Sequence, residues 1–311
     1  MIPSDSFEFD VPGIKLFGIG NSGIRALCPM SQADEAIHRR GIEYIALCTD
    51  AKETDIPKTG SSIVIEHLFA DKASTEHSQE TACMLDRLLG GADMVILLLA
   101  LGCKASVDAA QRVAKASRER SVLTVVIAAR PLPFESQTRM SEAARGIDAL
   151  REAADAMLVF SPEKLVTTNE SHLSISELHK RIDDTFTLCV RSLTDHFLIP
   201  GLICVDFRDV KTVLTGAGIV HIGVGSARGE NRASAAARMA KTSALFEGDL
   251  SKARSLLVTI PRGHNIIVEE VNTAMHIIME GLGEDINVIV STPDLENDDD
   301  LFMVTIIASN S

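Results

Sequence analysis

Two short stretches of this 311-residue chain carry the residue types needed to grip an anion. The first is Gly18-Ile19-Gly20-Asn21-Ser22-Gly23, which follows an apolar run, IKLFGIG from Ile14, and precedes a helix expected from about Ile24. Strand, then GxGxxG, then helix is the order of a dinucleotide-type phosphate loop, whose glycines let main-chain N–H groups approach a pyrophosphate. A plain tight turn accounts for the same residues equally well. The second stretch is Gly102-Cys103-Lys104-Ala105-Ser106, set between an apolar run from Met94 to Leu101 and a helix expected over Val107 to Ala116. In an open α/β sheet, ligands sit at the loop leaving the carboxyl end of a central strand. With one glycine left, that loop offers few N–H donors, and Lys104 offers a point charge instead. Asp50 closes a second apolar strand that starts at Gly41. An acid there reaches a ribose hydroxyl in many dinucleotide folds, and it serves equally as a solvated strand end or a turn cap.

Other chemistries find little support. The six cysteines, Cys28, Cys48, Cys83, Cys103, Cys189 and Cys204, form no close pair, so neither a zinc spacing nor a C-x-x-C redox motif is present. No metal site is expected on this basis. The nine histidines are scattered, and His264 and His276 fit surface or core positions better than ligand positions. A net charge of −13 disfavours nucleic acid, and with one Tyr and no Trp there is little to stack bases on. The N-terminal MIPSDSFEFD lacks the apolar core of a signal peptide, and no apolar run approaches the ~18 residues of a membrane span. A cytoplasmic protein with reduced thiols is the expectation.

The elements that must hold these loops follow a regular order. Apolar runs at 14–20, 41–50, 63–69, 94–101, 121–129 and 156–160 alternate with helical patterns at 80–89, 107–116 and 141–154. Alternation of this kind means a doubly wound, Rossmann-like parallel sheet. Ser174 to Leu198 has the period of one long helix, stopped by Pro200-Gly201. Beyond it, strands at 219–224, 255–260, 286–291 and 302–308 with helices at 233–241 and 267–282 predict a second, α+β unit. The expected division is 1–170, 171–200 for the central helix, and 201–311. The acidic Glu296 to Asp300 fits a solvated hairpin turn.

From about Ile14 onward the chain resembles FtsZ, of the tubulin superfamily. The match is strongest in the second half. Pro200 to Val213, PGLICVDFRDVKTV, resembles the family's synergy loop and the helix after it. Gly223 to Ala233, GVGSARGENRA, follows the family run G-x-G-x-A-x-G-E-x-R-A almost throughout. The resemblance implies a nucleotide-binding domain, a long central helix and a second α+β domain. It also implies head-to-tail polymers in which one subunit's synergy loop completes the GTPase site of the next. The intact Asp206 and Asp209 stand where the family's carboxylates position and polarise the attacking water. A helix cap accounts for Asp209 as well.

Carried over by position, Gly18, Gly20, Asn21, Ser22 and Gly23 take the first glycine loop, with Ile24 and Arg25 replacing paired asparagines. Asp50 lies in a T-D-A segment, and Glu135 and Arg139 match F-E-G-x-x-R, which holds ribose and phosphate, with Ser136 for Gly. Asp183 falls where the guanine stacks. The tubulin signature G-G-G-T-G-T-G aligns with Gly102, Cys103 and Lys104 through to Asp108, keeping Gly102 alone. The γ-phosphate loop expected near Ala70 to Gln79 has no glycine, and Pro162 replaces the guanine-contacting Asn. Cys204 replaces an Asn of the synergy loop.

Each charge-assisted bond to a phosphate contributes roughly 1.5–3 kcal/mol, so losing three or four weakens binding by several orders of magnitude. The expectation is an empty or weakened site for GTP or GDP, with Mg only alongside GTP. Lys104 then neutralises a phosphate in part, or pairs with Asp50, Asp108 or Glu135. Function is expected to be that of a divergent FtsZ-like cell-division or cytoskeletal filament subunit with slow or absent GTPase activity. Alternatives are an active GTPase hydrolysing GTP at the subunit interface, and a regulator capping true FtsZ filaments. An NAD oxidoreductase is disfavoured, because the second-half runs match FtsZ. Partners are then other copies, head to tail, or a true FtsZ. The chain stops where the family's globular core stops, so no C-terminal tail, and no membrane recruitment through one, is expected.

Overall fold

The computed structural model describes residues 12–36, 41–49, 63–68, 75–165, 173–243, 250, 253–261, 266–283, 285–294 and 300–309. Asp50, His264, residues 296–299 and residues 70–74 lie outside these, and 75–79 belong to α2. In chain order the elements are β1 (Ile14–Ile19), α1 (Gly20–Ala36), β2 (Ile42–Cys48), β3 (Ile63–His67), α2 (Thr75–Leu89), β4 (Met94–Ala100), α3 (Lys104–Arg118), β5 (Leu123–Ala129), α4 (Gln137–Ala153) and β6 (Ala156–Phe160). There follow α5 (Ile175–Leu198), α6 (Phe207–Leu214), β7 (Gly218–Ala227), α7 (Arg232–Lys241), β8 (Ser255–Thr259), α8 (Val268–Met279), β9 (Asn287–Ser291) and β10 (Phe302–Ser309).

The strands form one sheet in the order β3-β2-β1-β4-β5-β6-β7-β10-β8-β9. From β3 to β7 every pairing is parallel; β10 runs antiparallel to both neighbours, and β8 and β9 are parallel. The first six strands have the doubly wound order, which reverses direction between β1 and β4. Their residues alternate between two cores. Leu16, Ile96 and Val125 face α1 and α5, whereas Phe17, Leu97 and Val126 face α2, α3 and α4. Burial on both faces is why these strands have no polar alternation. A third core, built on Ala236, Ile278 and Phe302, joins α7 and α8 to the second-half strands.

The helix α5 is fixed at its start by a reciprocal Ser174–Glu177 capping box and buries Leu178, Ile182, Phe186, Val190 and Leu193 along one stripe. Two ion pairs clamp it to α1: Arg25 with Asp183, and Arg191 with the buried Asp34. No helix among the described residues is long and apolar enough to cross a membrane.

Several expected boundaries move. The helix α1 starts at Gly20, not near Ile24, and α3 starts at Lys104, not Val107. Gln137 opens α4, which puts Arg139 in its first turn, and Phe207 opens α6. First turns carry polar residues whose N–H groups face out of the helix, so apolar periodicity starts late in them. The hairpin expected after residue 291 is also corrected. β9 pairs with β8, and β10 lies between β7 and β8, so β9 and β10 are not neighbours.

Candidate functional site

The sheet reverses between β1 and β4, and both glycine stretches leave the carboxyl ends of those two strands. A Cβ on Gly18 would collide with the Gly23 carbonyl and Leu27, and one on Gly23 with the Leu98 carbonyl. These two glycines let α1 lie directly on β1 and β4, a packing demand that exists with or without a phosphate. Gly20 makes the turn itself, at φ +66°. Asn21 and Ser22 stand in the first turn of α1, where N–H groups have no partner in the helix.

Across the cleft, Gly102 turns at φ +90°, with the first turn of α4 against it: a Cβ there would lie 3.1 Å from the Arg139 carbonyl oxygen. Cys103 is the exposed N-cap residue of α3 and makes no side-chain cap bond. Lys104 pairs with Asp108 at 2.5 Å, one turn along α3. Glu135 accepts from the Leu132 N–H at 2.7 Å and pairs with Arg139 at 2.5 Å. Asp183 receives a two-point contact from Arg25, 2.8 and 3.0 Å. Each candidate cation in the cleft thus faces an acid of the same chain. Pro162 is buried in a short 3₁₀ turn after β6.

The other end of the molecule is built on the loop after α5. Gly201 has no room for a side chain beside the Thr292 carbonyl. The Leu202 and Ile203 N–H groups donate to the Thr292 carbonyl and hydroxyl at 3.2 and 2.9 Å, and Thr292 donates back to the Ile203 carbonyl at 3.1 Å. This stitching holds residues 200–203 against the end of β9. Asp206 is the N-cap of α6: its carboxylate accepts from the Arg208 N–H at 3.1 Å, and Asp209 reaches back to the Asp206 N–H at 3.3 Å. The cap role expected of Asp209 is therefore shared, with Asp206 at the cap position. Each exposed carboxylate keeps most of its acceptor sites free for solvent. Beside them lies a cleft of about 480 Å³, lined by Asp93, Phe197, Cys204, Asp206 and Arg208.

Residues 218–310 match the C-terminal domain of the FtsZ family. Over 96% of its length the chain superposes on FtsZ from M. jannaschii, solved as an empty dimer, with a TM-score of 0.83, 24% identity and 88% of that chain covered. A mutant of the same FtsZ gives 0.84 at 25% identity, covering 96% of this chain and 91% of that one. CetZ2 from Haloferax volcanii, solved as a GTPγS-bound protofilament, gives 0.77 at 20% identity, covering 95% and 92%. The chain has the tubulin/FtsZ fold, and its residues 218–310 match the FtsZ family. The long α5 is tied to α1, the helix after the first glycine stretch, by Asp183 and Arg191, and the loop carrying Asp206 follows its end.

Gly18 is the penultimate residue of β1, Gly20, Asn21, Ser22 and Gly23 form the first turn of α1, and Gly102, Cys103, Lys104, Glu135 and Arg139 belong to the loops and first helical turns that follow β4 and β5; Asp183, in the third turn of α5, joins α1 through Arg25. Asp206 and Asp209 stand together at the opposite end. The run GENRA also finds its physical cause. The buried Arg232 makes a two-point contact with Glu270, 2.6 and 3.0 Å, joining α7 to α8. Hydrogen bonding from Arg232 holds the Glu270 carboxyl below its ordinary range. Sequence reasoning missed His196. It is buried near the end of α5, with Nδ1 2.6 Å from the Ser291 hydroxyl and 2.9 Å from that of Thr259. Burial pushes its pKa down to about 4. No local pattern announces a contact between residues so far apart in the chain. Among the described residues, no group of three or more His, Cys, Asp or Glu side chains is placed to hold a metal ion.

Proposed function

We propose that this chain is an FtsZ-type filament subunit that assembles head to tail and whose guanine-nucleotide site is weakened to the point of slow or absent GTP hydrolysis. The observation that carries this reading is the set of internal ion pairs in the upper cleft: Arg25 with Asp183, Lys104 with Asp108, and Arg139 with Glu135. A phosphate cradle needs unoccupied N–H donors and cations. Here one glycine turn remains between β4 and α3, and the cations already have acids. The residues present therefore fit a phosphate chain poorly, and Mg, which would arrive with GTP, has no cluster of carboxylates waiting for it among the described residues. Asp206 and Asp209 keep the opposite end acidic, in keeping with a retained polymer face. The relatives solved as an FtsZ dimer and a CetZ2 protofilament support self-association.

The nucleotide content of the purified protein and its sedimentation test this together. The expected result is no co-purifying GDP, and pelleting of the pure protein that added GTP leaves unchanged. Stoichiometric bound GDP would overturn the weakened site. The retained acidic end also favours a second reading, in which the chain docks on one end of a true FtsZ filament. Shortening of FtsZ polymers at substoichiometric ratios, by a chain that does not pellet alone, would establish that reading instead.

A further inference from the structure

We propose that the groove between the starts of α7 and α8 is a docking site for an extended segment of another protein, one whose basic and apolar side chains alternate along one face. The inference does not rest on the head-to-tail reading. It uses no residue of the upper cleft or of the loop after α5.

The two helices run side by side in the same direction. Arg232 at the start of α7 forks onto Glu270 in the first turn of α8. At the far ends, the Lys241 Nζ donates to the Ile277 and Glu280 carbonyls at 2.8 and 2.9 Å. Both N-termini therefore open on the same side. There a groove of about 290 Å³ is lined by Glu230, Asn231, Ala233, Ile267 and Glu269, among others.

The fold leaves three features of this groove unused. The first is apolar. Ile267 is the N-cap residue of α8 and Val268 its first residue, and they are 57% and 73% exposed. Ser, Thr, Asp or Asn normally holds the N-cap position and bonds a first-turn N–H, which Ile cannot do. Neighbouring Ile266 and Val271 already pack against the third core, so Ile267 and Val268 are left outside it. A local rule broken at an exposed position marks a contact made with something else. The second feature is charge. Among the described residues, neither the Glu230 nor the Glu269 carboxylate meets a cation, whereas Glu270 beside them is taken by Arg232. Acids at helix starts suit their own dipoles, which accounts for their sign but leaves their acceptor sites open. The third is the main chain. Asn231, the N-cap of α7, makes no side-chain cap bond, so first-turn N–H groups of α7 remain open to an acceptor.

An extended peptide answers all three. Its carbonyls accept from the uncapped turn of α7. A Lys or Arg lays its stem along Ala233 and its charge between Glu230 and Glu269. The next side chain on the same face, two residues on, covers Ile267 and Val268.

Fluorescence anisotropy with a labelled peptide Leu-Ser-Lys-Ser-Leu-Ser-Lys-Ser-Leu tests this at about 0.1 M salt. Wild type should bind with a Kd below about 100 μM. The same peptide with Glu for Lys, or with Ala for Leu, should bind at least about tenfold more weakly. A Glu230→Gln, Glu269→Gln double variant should also lose about tenfold. A Glu119→Gln, Glu152→Gln double variant, which removes equal charge elsewhere, should bind as wild type does. Ile267→Asn separates docking from folding: a better cap should raise Tm by about 1 °C, while loss of the apolar contact weakens binding several-fold. No binding below about 1 mM, equal affinity for the altered peptides, or equal losses in the two double variants would each overturn the proposal. Self-association of wild type that Val268→Ser abolishes would give the groove to a second copy and overturn it as well.

Discussion

Asp206 is asked to do two things, and its chemistry allows them to be separated. It caps α6 through one carboxylate oxygen, and it contributes a negative charge to the lower end of the molecule. Asparagine caps a helix about as well as aspartate, whereas alanine loses roughly 1 kcal/mol of stability. Asp206→Asn should therefore melt within about 1 °C of wild type, and Asp206→Ala about 2 °C lower. Both should pellet less well than wild type, because both lose the charge. Asp206→Asn pelleting at the wild-type concentration would reduce Asp206 to a cap. The glycines show the same duality. Gly18 and Gly23 are required by the contact of α1 with β1 and β4. Their presence therefore says little about phosphate, and the loss of glycine after Gly102 says more.

At the scale of elements, the end of α5 is tied to the second-half strands by His196, which touches Ser291 at the end of β9 and Thr259 of β8. Its pKa is about 4 in the folded chain against an ordinary 6.5, and burial is the cause. Between those values the unfolded chain binds the extra proton, so stability rises with pH across the window and is lost as pH falls through it. The full window corresponds to about 3 kcal/mol, of which about 2 kcal/mol is gone by pH 5. Urea denaturation at pH 7 and pH 5 should show wild type losing this much more than His196→Gln, whose side chain has no such proton to gain. Equal losses would mean that His196 is not held neutral. Such links mark where the sequence was legible and where it was not. Strands buried on both faces and the stripe of α5 are local patterns, and their existence and type were readable, as was the run around Gly225. Helix starts at Lys104 and Gln137 were not, because their first turns present polar residues. Pairings such as Arg25 with Asp183, or β10 inserted between β7 and β8, join residues far apart in the chain, and nothing local encodes them.

For the molecule as a whole, the decisive quantity is how much a nucleotide stabilises the fold. A ligand that binds the native chain alone adds RT ln(1 + [L]/Kd). A site with an assumed Kd of about 1 μM, in about 1 mM GDP, would add about 4 kcal/mol. For a chain of this size that corresponds to a rise in Tm of about 6 °C. The cleft described here puts an Asp beside every candidate phosphate-binding cation except Arg139, which has Glu135. A phosphate would have to displace those carboxylates or repel them. With Kd weakened to the millimolar range, the same GDP adds about 0.4 kcal/mol, or less than about 1 °C. Thermal melts with and without GDP should therefore coincide within a degree, and so should melts with GTP and Mg. Charge reversal at Lys104 should leave that null result unchanged, since Lys104 is already paired with Asp108. A rise of several degrees in wild type that disappears in Lys104→Glu would reassign the lysine to a phosphate and restore the upper cleft as a working nucleotide site.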